Sequence, residues 1–190
     1  MGYTTDFSGE FTMTPQPPQE LVDYINRFAE IRHMKRDVER IKEVYPDWKT
    51  QCFNGDLGVE GEYFIGGEQD IINGHDDSVL DYNRPGGNAS GLWCQWVIED
   101  GALRWDYGEK FYCYDTWLRY LIKNFFAPSG IVLNGDVTWQ GEDYDDFGCL
   151  HVENNELDVQ FGIHVYSMND FADEELVEEL ERRGYTVTKD

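Results

Sequence analysis

The chain has 190 residues, with 38 Asp and Glu against 15 Lys and Arg, a formal charge of −23. A hydrophobic share of 41% and an aromatic share of 15% are too rich for a disordered chain and suit one domain over residues 1–190. The charge excludes phosphate-driven contact with nucleic acid, which needs clustered Lys and Arg, and disfavours an anionic membrane surface.

In chain order, Tyr3 to Thr14 reads as extended, with Phe7, Phe11 and Met13 on one face and Gly9 between them. Pro15, Pro17 and Pro18 stop that strand. From Gln19 to Val44, Leu21, Tyr24, Ile25, Phe28, Ile31, Met34, Val38 and Ile41 recur at spacings of three and four. That stripe predicts one long helix ended by Pro46. Gly61 to Ile65 reads as a short strand, and Gly66 to Gly91 as a long irregular stretch ending near the turn Arg84-Pro85-Gly86-Gly87.

Leu92 to Ile98 and Ala102 to Tyr107 read as strands joined by an Asp100-Gly101 hairpin turn. Trp93 and Trp96 have opposite parity, so at least one should point away from the core. Thr116 to Phe126 is a predicted helix, with Asp115 as its N-cap and Trp117, Leu118, Leu121, Ile122 and Phe125 as its buried face. Ile131 to Gln140 reads as one strand through Gly135, because the alternation is unbroken. Cys149 to Glu153 and Glu156 to Val165 form a hairpin about Asn154-Asn155. Ala172 to Arg183 is a helix closed by Gly184, and Tyr185 to Thr188 a short edge strand. The expected class is α+β: a mostly antiparallel sheet with a long N-terminal helix and two further helices packed on it.

The charges are segregated. Seven of the 15 Lys and Arg residues lie from Arg27 to Lys49, whereas the span between Lys123 and Arg182 holds 15 carboxylates and no Lys or Arg. Closely spaced carboxylates resemble the charge of a nucleic-acid backbone and would attract a basic protein. The proposed contact residues are Glu142, Asp143, Asp145 and Asp146 in a loop, and Asp173, Glu174, Glu175, Glu178, Glu179 and Glu181 on the last helix. The alternative is a small-ligand site or enzyme in the Gly-rich stretch 66–91, using His75, Asp76, Asp77, Asp81 and Arg84. A third option is a homodimer joined through exposed aromatics.

Metal, nucleophile and cofactor motifs fail one by one. Asp143, Asp145 and Gly148 match three positions of a calcium loop, but Phe147 and Asn154 stand where ligands are required. Cys149 and His151 lie two apart on a strand with no second close pair for zinc. No HExxH, GxSxG or P-loop occurs, so no catalytic residue, metal or cofactor is assigned. The N-terminus carries no signal-peptide pattern and no apolar run spans a membrane, so the four cysteines are expected as free thiols of a cytoplasmic protein.

Tyr3-Thr4-Thr5-Asp6-Phe7-Ser8-Gly9, Met34-Lys35-Arg36-Asp37, Gly61-Glu62-Tyr63-Phe64, Asp81-Tyr82-Asn83-Arg84-Pro85, Gly91-Leu92-Trp93-Cys94-Gln95-Trp96 and Gly141-Glu142-Asp143 together resemble a group of small acidic proteins of bacteria and their phages. The group brings no activity and no residue roles. The resemblance implies a bacterial or phage-infected cell as the setting and makes inhibition or regulation of a basic host protein, one handling nucleic acid or defence, the expected role.

Overall fold

The computed structural model describes residues 2–67, 77–163, 173–184 and 186, with the side chains of 173–175 left aside. It is α+β. Six strands form one antiparallel sheet: β1 (Thr5–Thr14), β4 (Trp96–Glu99), β5 (Ala102–Trp105), β6 (Val132–Gly141), β7 (Phe147–Glu153) and β8 (Glu156–Phe161). Their spatial order is β4-β5-β1-β6-β7-β8, so the first strand of the chain lies inside the sheet, bonded to β6 over its whole length. β2 (Lys35–Arg36) and β3 (Val79–Asp81) pair separately. The helices are α1 (Gln19–Glu30), α2 (Val38–Val44), α3 (Tyr114–Leu121) and α4 (Asp173–Arg182).

One face of the sheet makes the core. Phe7, Phe11, Met13, Leu133, Val137, Trp139, Leu150, Val152 and Leu157 point inward and are buried. Leu21, Tyr24, Ile25 and Phe28 of α1 pack with them, as do Trp117, Leu118 and Leu121 of α3. The Phe7 ring meets Trp96, Trp105, Phe111 and Tyr114 edge to face, with centroids 4.9–5.9 Å apart, a geometry favoured by the ring quadrupoles. Trp96 is buried and Trp93 is 44% exposed, as their parity required.

The long helix expected from Gln19 to Val44 is not formed. Ile31 turns extended (φ −93°, ψ 154°) and ends α1. Backbone donors beyond it are taken by distant loops: His33 N–H by Leu92 O at 2.8 Å, Lys35 by Arg84 O at 2.7 Å, Arg36 by Glu60 O and Asp37 by Ser78 O, both at 2.8 Å. Asp37 then caps α2, its Oδ1 accepting from Glu39 N–H (2.9 Å) and Arg40 N–H (3.1 Å). The apolar period persisted because Met34 is buried in the segment between α1 and β2 and Ile41 on α2, in a second small core with Cys52, Leu57 and Phe64.

Three smaller expectations also change. The helix expected from Thr116 starts at Tyr114, and its N-cap is Cys113 (φ 57°) rather than Asp115. After Leu121 the chain widens into a π-type turn over Ile122–Phe126, with Ala127 N–H reaching back to Ile122 O. Leu92 to Gln95 stays outside β4, and Gly61 to Ile65 contributes only an isolated bridge between Phe64 and Cys52. The hairpins at Asp100-Gly101 and Asn154-Asn155 are present, with all four turn residues at positive φ. The four cysteines are free. Apart from Thr186, the expected edge strand Tyr185 to Thr188 lies outside the described residues.

Candidate functional site: the open face of the sheet

The second face of the sheet carries the exposed side chains. Register places Arg104, Glu10, Asp136, His151 and Asp158 opposite one another in a row across β5, β1, β6, β7 and β8. A neighbouring row holds Glu99, Thr12, Asn134, Glu153 and Glu156. Strands lie about 4.8 Å apart and same-face residues about 6.8 Å apart along a strand, so this is a two-dimensional lattice of charge. Glu10 faces Asp136 directly, and Glu153 faces Glu156. Like charges in such pairs repel.

The first row offsets that repulsion internally. Arg104 donates to Glu10 at 2.5 Å and to Glu99 at 3.3 Å. His151 Nδ1 lies 2.7 Å from Asp136 Oδ1. The hydrogen bond to Asp136 raises the His151 pKa above its ordinary 6.5, and the charges of Asp136, Glu153 and Asp158 add to this. The second row has no such cation among its own residues, although Arg104 reaches Glu99 from the first.

The loop carboxylates divide into two kinds. Asp146 is structural: Oδ2 accepts from Tyr3 O–H at 2.6 Å and Oδ1 from Trp139 Nε1–H at 3.1 Å. The bond to Asp146 pushes the Tyr3 phenol up. Glu142 accepts from Thr4 N–H at 2.8 Å, so it too anchors the N-terminal strand. Asp143 and Asp145 are exposed at the turn. On α4, Glu178 and Glu181 are exposed, while Glu179 is paired to Arg182 of the same helix at 2.7 Å and to Arg183 just past its end at 2.5 Å. Those two guanidiniums hold the Glu179 carboxyl down at about 2. The backbone of Asp173, Glu174 and Glu175 forms the first turn of α4.

The described residues of the alternative site, Asp77, Asp81 and Arg84, each have a separate set of contacts. His75 and Asp76 lie outside the described residues. Asp77 pairs with Arg40 of α2 at 2.7 Å, and Asp81 Oδ1 accepts from Asn83 N–H at 2.9 Å inside a turn. Arg84 is exposed, and its carbonyl accepts from Lys35 N–H at 2.7 Å. Its charge acts on Glu60, whose pKa is lowered chiefly by Lys35 at 2.5 Å and by Gly87 N–H at 3.1 Å. These contacts tie the described residues 77–87 of the Gly-rich stretch to the body of the protein.

Cys149, His151 and Asp136 do converge on the open face, with Cys149 Sγ 3.7 Å from Asp136 Oδ1. The Cys149 thiol is pushed up by burial and by Asp136, which disfavours the nucleophilic thiolate. Among the described residues no group of three or more His, Cys, Asp or Glu is arranged to hold a metal ion. No helix among them is long and apolar enough to cross a membrane.

Composition signalled the acidity, and the sequence placed the contact in a loop and the last helix. It missed Asp6, Glu10 and Glu99, which lie far from the acidic C-terminal third. Their alternation with buried Phe7, Phe11 and Ile98 was the available signal. No protein-family model matches the chain, and no curated protein or solved structure is significantly similar to it.

Proposed function

We propose that this protein is a non-enzymatic binder that captures a basic partner protein on the carboxylate-bearing open face of its sheet. The observation that supports this reading is the shared register of Glu10, Asp136 and Asp158, flanked by Glu153 and Glu156, on one exposed surface. Such a surface speeds encounter with a cationic protein, and the Debye length of about 8 Å at physiological salt makes the association strongly salt-dependent. Asp143 and Asp145 extend the surface at the β6–β7 turn, and Glu178 and Glu181 supply further exposed charge on α4. The partner fits a basic host protein that handles nucleic acid, which inhibition by a surface of backbone-like charge would disarm. The setting is the cytoplasm of a bacterial or phage-infected cell.

The test compares wild-type protein with a face variant carrying Asp6→Lys, Glu153→Lys, Glu156→Lys and Asp158→Lys, none of which is ion-paired to a described cation. Both are immobilised, exposed to bacterial lysate at low and high salt, and any retained basic protein is purified and titrated back. Wild-type binding that falls at high salt and is lost in the folded variant supports the reading. Equal binding by the variant overturns it.

A further inference from the structure

The two edges of the six-stranded sheet are finished differently. At the β4 edge, Asn26 of α1 takes both backbone groups of Ile98: its Nδ2–H donates to Ile98 O at 2.9 Å, and its Oδ1 accepts from Ile98 N–H at 2.7 Å. The opposite edge is β8. Glu153 and Glu156 flank the two-residue turn Asn154-Asn155 and so form a hydrogen-bonded pair, and bonded pairs recur at His151 with Asp158 and at Cys149 with Gln160. The bond from Gly162 N–H to Phe147 O at 2.7 Å continues that alternation. The N–H and C=O groups of Leu157, Val159 and Phe161 therefore point away from β7. Among the described residues none of these groups has a hydrogen-bond partner.

Nothing in β8 blunts this edge. The strand has no Lys or Pro, and its register with β7 runs without a bulge over all six residues. Apolar surface continues along it. Leu157 and Val159 pack into the core on one face of the strand, and Phe161 follows on that face. Phe161 meets Trp139 edge to face at 5.6 Å yet stays 74% exposed, and Ile163 is 82% exposed.

The strand is also complementary to itself. A two-fold axis at Val159 would set Leu157 against Phe161 of a second copy, Asp158 against Gln160, and Glu156 against Gly162. No carboxylate then faces a carboxylate. Moving the axis one residue toward the turn would set Asp158 on Asp158 in a closely spaced pair, which like charges disfavour. Gln160 Nε2 already donates to Asp158 Oδ2 of its own strand at 2.8 Å, and its amide carries a second hydrogen for the Asp158 it would face.

We propose that β8 pairs antiparallel with β8 of a second copy of this chain, about a two-fold axis at Val159, so that two sheets become one. The pairing satisfies both open edges at once. The edges left outermost are the two β4 strands that Asn26 caps, so assembly stops at a dimer. One strand pair makes an interface below about 1,200 Å², the small class that forms reversibly. Each copy carries −23, so the copies repel, and salt that screens the repulsion tightens the dimer. That dependence is opposite in sign to the capture of a basic partner on the open face.

The test is sedimentation velocity of the full chain over a wide concentration range, at low and at high salt. A reversible monomer–dimer equilibrium that strengthens with salt is expected. Val159→Pro removes an N–H that β7 does not use and should abolish the dimer. Gln160→Glu, at an exposed position, places a carboxylate opposite Asp158 at two symmetric points and should weaken the dimer by about tenfold. Thr138→Glu makes the same change of charge on β6, an inner strand of the same face, and should leave the dimer nearly unchanged. Circular dichroism checks the fold of each variant, and if Val159→Pro does not fold, the comparison of Gln160→Glu with Thr138→Glu decides. A protein that stays monomeric at every concentration and salt overturns the proposal. So does a folded Val159→Pro protein that still dimerises, or a dimer that Gln160→Glu weakens no more than Thr138→Glu does.

Discussion

Gly9 of β1 and Gly135 of β6 sit diagonally across the ladder that joins the two longest strands, and each makes room for the other's neighbour. Both have positive φ, 113° and 143°. A Cβ on Gly9 would fall onto the Asp136 carbonyl oxygen, and one on Gly135 would lie 2.5 Å from the Glu10 carbonyl oxygen. The charged row of the open face crosses between these two points, since Glu10 faces Asp136.

Gly9→Ala and Gly135→Ala should therefore each destabilise the protein by about 1–3 kcal/mol, from forbidden dihedrals and backbone collision together. Urea unfolding followed by tryptophan fluorescence would show the loss as a lower midpoint. An unchanged midpoint would mean that β1 and β6 do not pair in this register.

His33 sets an acid limit on the fold. Its ring lies between Phe28 and Trp117, with centroids 4.1 and 4.9 Å away. Full burial lowers its pKa from 6.5 to about 3. The unfolded chain takes up a proton near 6.5 while the folded ring refuses it, so stability falls as pH drops through this window. The slope should approach about 1.4 kcal/mol per pH unit. Denaturant titrations at pH 7, 5 and 4 check it, and His33→Phe should flatten the dependence.

Asp146 joins the N-terminus to the β6–β7 turn. Asp146→Ala strands the Trp139 indole N–H and frees Tyr3, and should lower stability by about 1–3 kcal/mol. The Tyr3 phenol should titrate closer to its ordinary 10.0, which NMR of ring-labelled tyrosine would follow. A Tyr3 titration unaffected by the substitution would rule out the contact.

On the open face, Asp136→Asn should bring the His151 titration down towards 6.5, because the carboxylate is the largest cause of its upward shift. A raised folded pKa stabilises below 6.5 and loses that contribution as pH rises through the folded value. The ring is exposed to solvent, so the effect belongs in the NMR titration curve rather than in the unfolding midpoint.

Much of the local structure was legible from residue order. The α1 stripe, the unbroken alternation through Gly135, and the Asp100-Gly101 and Asn154-Asn155 turns all rest on interactions a few residues long. Asp37 was also a readable signal, since an Asp at a helix start is the ordinary N-cap, and it marks the break the apolar period concealed. The period itself misled because Met34 and Ile41 are buried for reasons of tertiary packing, one in the connection after α1 and the other on α2.

By itself the sequence determined the α+β class, the acidity and most of the inward-facing residues, because periodicity and turn chemistry are local. Only the tertiary structure decided that β1 lies between β5 and β6, more than a hundred residues along the chain from the strand it pairs with most. That choice gathers Glu10, Asp136 and Asp158 onto one face. Such pairings depend on which surfaces fit once the chain closes on itself, and no short window of sequence encodes that fit.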